Sequence, residues 1–143
     1  MASTQERNGR AGETMRLVVF TPAASIIDEP VKRLVAYGIG GAFGMLPNHV
    51  DFTAPLVPGI LTARGAAGRE LFIALDGGVL LKIAGTVRVA TRRAVVGSDL
   101  SELHRLVREE FLAVDERERE IRSAAARLEA GMIRRFIEIE AVG

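Results

Sequence analysis

The chain has 143 residues, a formal net charge of +1 and no cysteine, which leaves room for one medium domain or a small domain with an appendage and excludes disulfides and Cys-based zinc sites. So small a net charge excludes the strong basic field expected of a nucleic-acid-binding protein. Hydrophobic residues make up 48% of the sequence but aromatic residues only 5%, so we expect a core built mainly from aliphatic side chains.

The chain opens with residues 1–14, which lack an apolar h-region and are predicted to form a disordered lead. No apolar stretch approaches the roughly 20 residues needed to span a bilayer, so we expect no direct membrane span. Charged residues become much denser after Ser98. We therefore predict three parts: a lead over residues 1–14, a β domain over residues 15–98 and a helical domain over residues 99–143.

Short apolar runs rich in β-branched residues fill the β domain, and Gly or Pro separates most of them. This pattern is typical of antiparallel strands joined by tight turns. Because no helix-length segment lies between the runs, parallel βαβ units are not expected. The prediction is an N-terminal antiparallel β-sandwich of about eight to ten strands. The predicted strands are residues 16–20, 31–37, 43–46, 52–56, 60–63, 71–75, 79–83 and 87–90, with short pieces around Ile26 and Val95.

Two apolar stripes at three- and four-residue spacing occupy the helical domain. The first stripe ends at Val114 and the second begins at Ile121. Ser98 or Asp99 is placed to cap the first helix. We therefore predict a C-terminal two-helix hairpin with its break near Val114, within residues 114–116.

Residues 41–50, GAFGMLPNHV, followed by LVPGIL at residues 56–61, resemble the signature of F-type ATP synthase epsilon subunits. LDGGVL at residues 75–80 is similar to the Ser-Gly-Gly hairpin of that family, and the pair Asp99 and Leu100 matches the acidic-Leu pair that opens its helical domain. The order and spacing of these motifs extend the similarity over residues 16–139. The sequence departs from the family at Ala42, where Glu is common, and at Asn48, where Gly is common.

The resemblance implies a non-catalytic central-stalk subunit of a proton- or sodium-translocating F-type ATP synthase, which couples the gamma subunit to the c ring. It also implies a peripheral location on the cytoplasmic face of the bacterial inner membrane. By the same resemblance, the C-terminal helices are expected to contact the β subunit and inhibit ATP hydrolysis, which is a hypothesis here. The partner-contact residues that the resemblance suggests are Phe43, Met45, His49, Pro58, Ile60, Arg127, Arg134 and Arg135.

Catalytic, metal and cofactor chemistry is not expected. His49 and His104 are the only histidines and have no ligand spacing around them, and no P-loop or set of nucleophile, base and orienting group is present. Some bacterial relatives bind ATP through an Ile-Asp-x-x-Arg-Ala motif. Here Glu102 stands at the arginine position and would repel an anion, so we expect no bound nucleotide.

Two other interpretations stay open from the residues alone. A stand-alone β-sandwich adaptor could dimerise through its helical tail, since the stripes are compatible with a short coiled coil. The other interpretation is that the chain is a small enzyme. A stoichiometric gamma partner would favour the rotor subunit, and a lone stable dimer would favour the adaptor.

Overall fold

The computed structural model describes residues 13–142, with side chains for all of these except residues 114–115 and 132–142. The predicted lead over residues 1–14 therefore lies outside the described residues, apart from its last two. The strands are β1 Met15–Phe20, β2 Ser25–Gly38, β3 Gly41–Met45, β4 Phe52–Leu56, β5 Gly59–Gly65, β6 Glu70–Leu75, β7 Gly78–Ile83, β8 Thr86–Ala90 and β9 Ala94–Gly97. Helix α1 is Leu100–Leu106, a π-helical segment is Val107–Leu112, and helix α2 is Ala113–Val142.

The strands form one mostly antiparallel nine-stranded sheet in the order β1-β8-β7-β4-β2-β5-β6-β9, with β3 paired to β2 and β1 also paired to β2. Strand β2 is 14 residues long, and the predicted piece around Ile26 is its first part. Its register against β5 shifts between Val31 and Arg33, just after Pro30, whose backbone has no N–H to donate. This irregularity lies where β2 passes from β1 to its later partners.

One pair of strands departs from the predicted antiparallel arrangement. Strands β1 and β8 are parallel, with Arg16 opposite Thr86 and Phe20 opposite Ala90. The alternation of apolar residues specifies which face of a strand is buried, but it carries no information on the direction of a distant partner.

The core of the sandwich follows the two-residue period of its strands. Met15, Leu17 and Val19 alternate with more exposed residues along β1 and are at most 1% exposed. Val87 and Val89 do the same along β8 and are fully buried. Burying each such aliphatic side chain contributes about 1.5–3 kcal/mol.

The first helical residues pack on the β domain. Leu103, Val107 and Phe111 are 1–6% exposed and form a cluster with Ile60 of β5 and Ala74 of β6. Their four-residue spacing places them along one side of the helical segment.

The predicted N-cap is confirmed at Asp99. Its Oδ1 accepts hydrogen bonds from the backbone N–H of Ser101, at 3.0 Å, and of Glu102, at 3.3 Å. These bonds satisfy two of the donors that the start of a helix leaves free.

The predicted two-helix hairpin is not confirmed. Residues 100–142 are all helical, including Val114 and its neighbours at the predicted break. Residues 115–120 are all charged and include neither Gly nor Pro, and Glu and Arg are good helix formers. The local sequence therefore gives the backbone no reason to leave the helix there.

One compact unit extends to Phe111, and Leu112 begins a second. Helix α2 belongs to the second unit, where Ile121 is 68% and Leu128 70% exposed. Within the described part of the chain, no helix has the length and apolar character needed to cross a bilayer.

Candidate partner-binding site

Residues 34–50 contain no Asp, Glu, Lys or Arg. They form the second half of β2, the whole of β3 and the loop that follows it. The three most exposed aliphatic side chains in this stretch are those of Ile39 at 79%, Leu46 at 57% and Val50 at 74%. Several exposed apolar side chains in one uncharged stretch make it a candidate interaction site.

Three rings lie together beside these residues. Phe52 is 5.5 Å from Phe43 and 5.5 Å from His49 between ring centroids, with interplanar angles of 67° and 69°. Both contacts have the edge-to-face geometry that aromatic quadrupoles favour. We call Phe43, His49 and Phe52, with the exposed Ile39, Leu46 and Val50, the aromatic rim.

A shallow groove of about 360 Å³ opens on the rim between the β2–β3 turn and β4. Residues 38–43 form one wall, and Phe52, Ala54 and Pro55 form the other. The turn depends on Gly41, whose φ of +112° lies in a region that side chains disfavour.

Three hydrogen bonds hold the loop that carries His49. The backbone N–H of His49 donates to the carbonyl oxygen of Leu46 at 2.9 Å, which closes a turn with Pro47 at its second position, where the fixed φ of proline is favoured. The His49 ring donates from Nδ1 to the carbonyl oxygen of Val50 at 2.8 Å. Below the loop, the ammonium of Lys82 donates to the carbonyl oxygen of His49.

The structure separates the predicted contact residues of the β domain into two groups. Phe43 and His49 are half-buried members of the rim, and Pro58 is half-buried just before β5. Met45 is 2% exposed in the sandwich core, and Ile60 is 5% exposed beneath the first helical residues. Met45 and Ile60 therefore offer no surface to a partner in this conformation.

The three predicted arginines belong to the second unit. Arg127 is exposed on α2, and its Nε donates to the carbonyl oxygen of Ser123 at 3.4 Å. Arg134 and Arg135 are helical, but their side chains lie outside the described set.

The sequence analysis missed Ile39, Leu46, Val50, Phe52 and Lys82. The uncharged run over residues 34–50 was a usable signal for the rim, because charged residues make up 26% of the chain. Lys82 lies two residues after Leu80 in the same strand, and residues two apart share a face. Strand alternation could therefore have placed the lysine on the buried side.

Comparison with known proteins relates the chain to one group. The family described as "ATP synthase, Delta/Epsilon chain, beta-sandwich domain" matches residues 14–97. A protein named ATP synthase epsilon chain 2 from Cereibacter sphaeroides is 37% identical over 85% of this chain and 84% of its own length. The protein of the same name from Paraburkholderia xenovorans is 31% identical over 87% of this chain and 91% of its own length.

A solved structure shows the same likeness. A chain in the Euglena gracilis mitochondrial ATP synthase, a structure of OSCP, F1 and c-ring in rotational state 1, matches with a TM-score of 0.57 and 25% identity. The match covers 67% of this chain and 62% of that chain, less than two thirds of its length.

Proposed function

The chain belongs to the family of ATP synthase epsilon chains, and from this premise we propose that its aromatic rim sits on the ring of c subunits. It is a non-catalytic subunit of the rotor stalk of an F-type ATP synthase. The observation that carries the proposal is the exposure of Ile39, Leu46 and Val50 within a stretch that has no charged residue.

The character of the rim indicates how the contact is made. Ala42, where the family commonly carries Glu, is exposed on β3, so this chain presents a methyl group where a carboxylate is usual. The surrounding rim is uncharged as well. Its contact with the ring therefore relies on apolar burial and shape, at about 25 cal/mol for each Å² of apolar surface removed from water.

We propose a second contact, with the gamma subunit, at Pro58. The backbone N–H of Val57 donates to the carbonyl oxygen of Tyr37 at 3.1 Å, which fixes the residue before Pro58 against β2. Tyr37 is 45% exposed, and its ring lies close to Gly59, the residue that follows Pro58. Such rings contribute large contact area with little loss of conformational entropy on binding.

We also propose where the chain lies in the cell and how it controls ATP hydrolysis. In the assembly proposed here, the chain lies peripherally on the cytoplasmic face of the bacterial inner membrane, and the ring determines whether a proton or a sodium ion is transported. We propose that Arg127, Arg134 and Arg135 reach an acidic segment of the β subunit and inhibit hydrolysis. The second apolar stripe of the sequence supports a folded-back two-helix hairpin as an alternative state of this segment.

Binding of the purified chain to isolated c ring tests the rim. Ile39→Asp places a charge on the exposed rim and should weaken binding by about tenfold or more, because interface anchors cost above 1 kcal/mol when lost. Ile121→Asp is the matched control, since Ile121 is similarly exposed but lies on α2, and it should bind as the wild type does. Binding should also change little with salt. Equal affinity of the two variants would contradict the rim as the ring-binding surface.

A further inference from the structure

The turn between β6 and β7 holds a buried carboxylate between two arginines. The side chain of Asp76 is 2% exposed. Its Oδ2 accepts from Nε of Arg93 at 3.2 Å, and its Oδ1 accepts from a terminal guanidinium nitrogen of Arg92 at 3.5 Å. The backbone N–H of Asp76 also donates to the carbonyl oxygen of Arg93 at 3.1 Å. Asp76 thus binds Arg93 through both backbone and side chain.

The same guanidinium reaches the helical region. Its Cζ lies 4.7 Å from the centroid of the Phe111 ring, within the range of an attractive cation–π contact. Phe111 is 1% exposed, while the Arg93 side chain is 45% exposed. Arg93 therefore bridges a buried carboxylate of the β domain and a buried ring of the helix.

Phe111 is the last residue of the apolar stripe that packs on the sheet. In a regular α-helix each four-residue step overshoots a full turn by about 40°, so Phe111 would lie about 80° round the helix from Leu103. The π-helical segment Val107–Leu112 winds with more residues per turn. This slower winding turns Phe111 back toward the side that Leu103 and Val107 present to the sheet.

We call residues 100–111 the docked segment. The helix does not end at Phe111 but continues into α2, so contacts with the β domain, and not helix length, hold this part of it on the sheet. Leu103 and Val107 supply non-directional apolar contacts. The Arg93–Phe111 contact is directional, and it acts at the end of the segment.

We infer that Arg93, oriented by Asp76, is a latch that holds the C-terminal end of the docked segment on the β domain. Withdrawing the guanidinium from the ring lets residues 103–111 open as a unit while the sandwich stays folded. The guanidinium over the Phe111 ring is that of Arg93, so we assign the latch to Arg93. The inference requires no partner subunit and is independent of the rim proposal.

Hydrogen–deuterium exchange of the full chain tests the latch. Arg93→Gln should accelerate amide exchange over residues 103–111 by about two- to fivefold, the effect expected for loss of one partly exposed cation–π contact. Arg64→Gln is the matched control, because it breaks an exposed ion pair with Glu70 in the same β domain, and it should leave this exchange close to that of the wild type. Amides of β8 report on the sandwich and should exchange at the wild-type rate in both variants.

A second variant covers the case in which Arg93→Gln also weakens the sandwich by removing a partner of Asp76. Phe111→Leu leaves the Asp76–Arg93 pair in place and removes only the ring face. Adding Arg93→Gln to Phe111→Leu should then accelerate exchange by less than it does in the wild type, since the two residues share one interaction. Fully additive effects of the two changes, or equal effects of Arg93→Gln and Arg64→Gln over residues 103–111, would overturn the latch.

Discussion

The ammonium of Lys82 donates a 2.6 Å hydrogen bond to the backbone carbonyl oxygen of His49, 33 residues away in the chain. A second bond of 2.6 Å goes from the same ammonium to the carbonyl oxygen of Ala84. The carboxylate of Asp51 accepts from the backbone N–H of Ala84 at 2.8 Å, and Lys82 itself is 2% exposed. A buried lysine therefore ties the rim loop to the β7–β8 turn.

Lys82→Met should loosen the rim loop. Methionine retains the apolar stem but leaves the carbonyl oxygens of His49 and Ala84 without their donor, at a cost of about 1–3 kcal/mol. We expect a lower free energy of unfolding in urea and weaker binding to the c ring. Lys32→Met, at the only other lysine, is the control and should change neither measurement. If Lys82→Met unfolds at the same urea concentration as the wild type, these two bonds do not hold the loop.

Gly78→Ala should destabilise the β domain severely. Gly78 has a φ of +125°, and an added Cβ would overlap the carbonyl oxygen of Ala90 in β8. The expected loss in the free energy of unfolding is roughly 2–5 kcal/mol. Gly85→Ala is the control, because a Cβ there meets nothing within 4 Å, and it should change stability by no more than about 0.5 kcal/mol.

The exposed pair of Arg16 and Asp28 should respond to acid in a defined direction. The hydrogen bond from the Arg16 guanidinium, at 2.6–2.7 Å, holds the pKa of Asp28 below its ordinary value of 3.8. A carboxyl with a lowered folded-state pKa contributes stability above its unfolded-state pKa and loses it as the pH falls through the folded-state pKa. The stability that this ion pair contributes is therefore expected to be fully present at neutral pH and lost in acid.

An NMR titration of the Asp28 carboxyl carbon checks this expectation. Arg16→Gln should raise the pKa of Asp28 toward its ordinary value, because it removes both the hydrogen bond and the charge. Arg64→Gln breaks the separate pair with Glu70 and should leave the Asp28 titration where it is. If both variants shift the Asp28 titration equally, Arg16 is not the cause of the lowered pKa.

Shortening the chain should separate inhibition from folding. A chain that ends at Leu112 retains the docked segment and removes α2, so it should assemble with gamma and, under the inhibition hypothesis, raise the ATPase rate of the complex. A chain that ends at Ser98 also removes Leu103 and its neighbours and uncovers Ile60 and Ala74. It should be less stable, since each buried apolar side chain contributes about 1.5–3 kcal/mol. An unchanged ATPase rate for the Leu112 chain would contradict inhibition by α2.

Much of the β domain was predictable because its strands are short and clearly separated. The predicted strands over residues 52–56, 71–75, 79–83 and 87–90 agree with β4, β6, β7 and β8 to within one residue at each end. In the turns, Pro fixes φ and Gly permits positive φ, so the residue types alone indicate where the chain reverses. The division of the chain at residues 98 and 99 stays a prediction.

The candidate site was predictable only in part. Phe43 and His49 lie in the rim as half-buried side chains, but Met45 and Ile60 are covered. Ile60 is covered because residues far along the chain fold back over β5, which local patterns do not record. The contact roles of the arginines on α2 remain predictions.

The sequence by itself determined the family, through the order and spacing of its motifs. It also determined the strand-rich first part and the helical last part and restricted the cap to Ser98 or Asp99, because each of these depends on residue types within a few positions of one another. Only the tertiary structure decided that β8 runs parallel to β1, that the ammonium of Lys82 binds the carbonyl oxygen of His49, and that Arg93 meets Phe111. These relationships join residues far apart in the chain. Their energy depends on distance and burial in the folded molecule, and neither quantity exists until the sheet has formed.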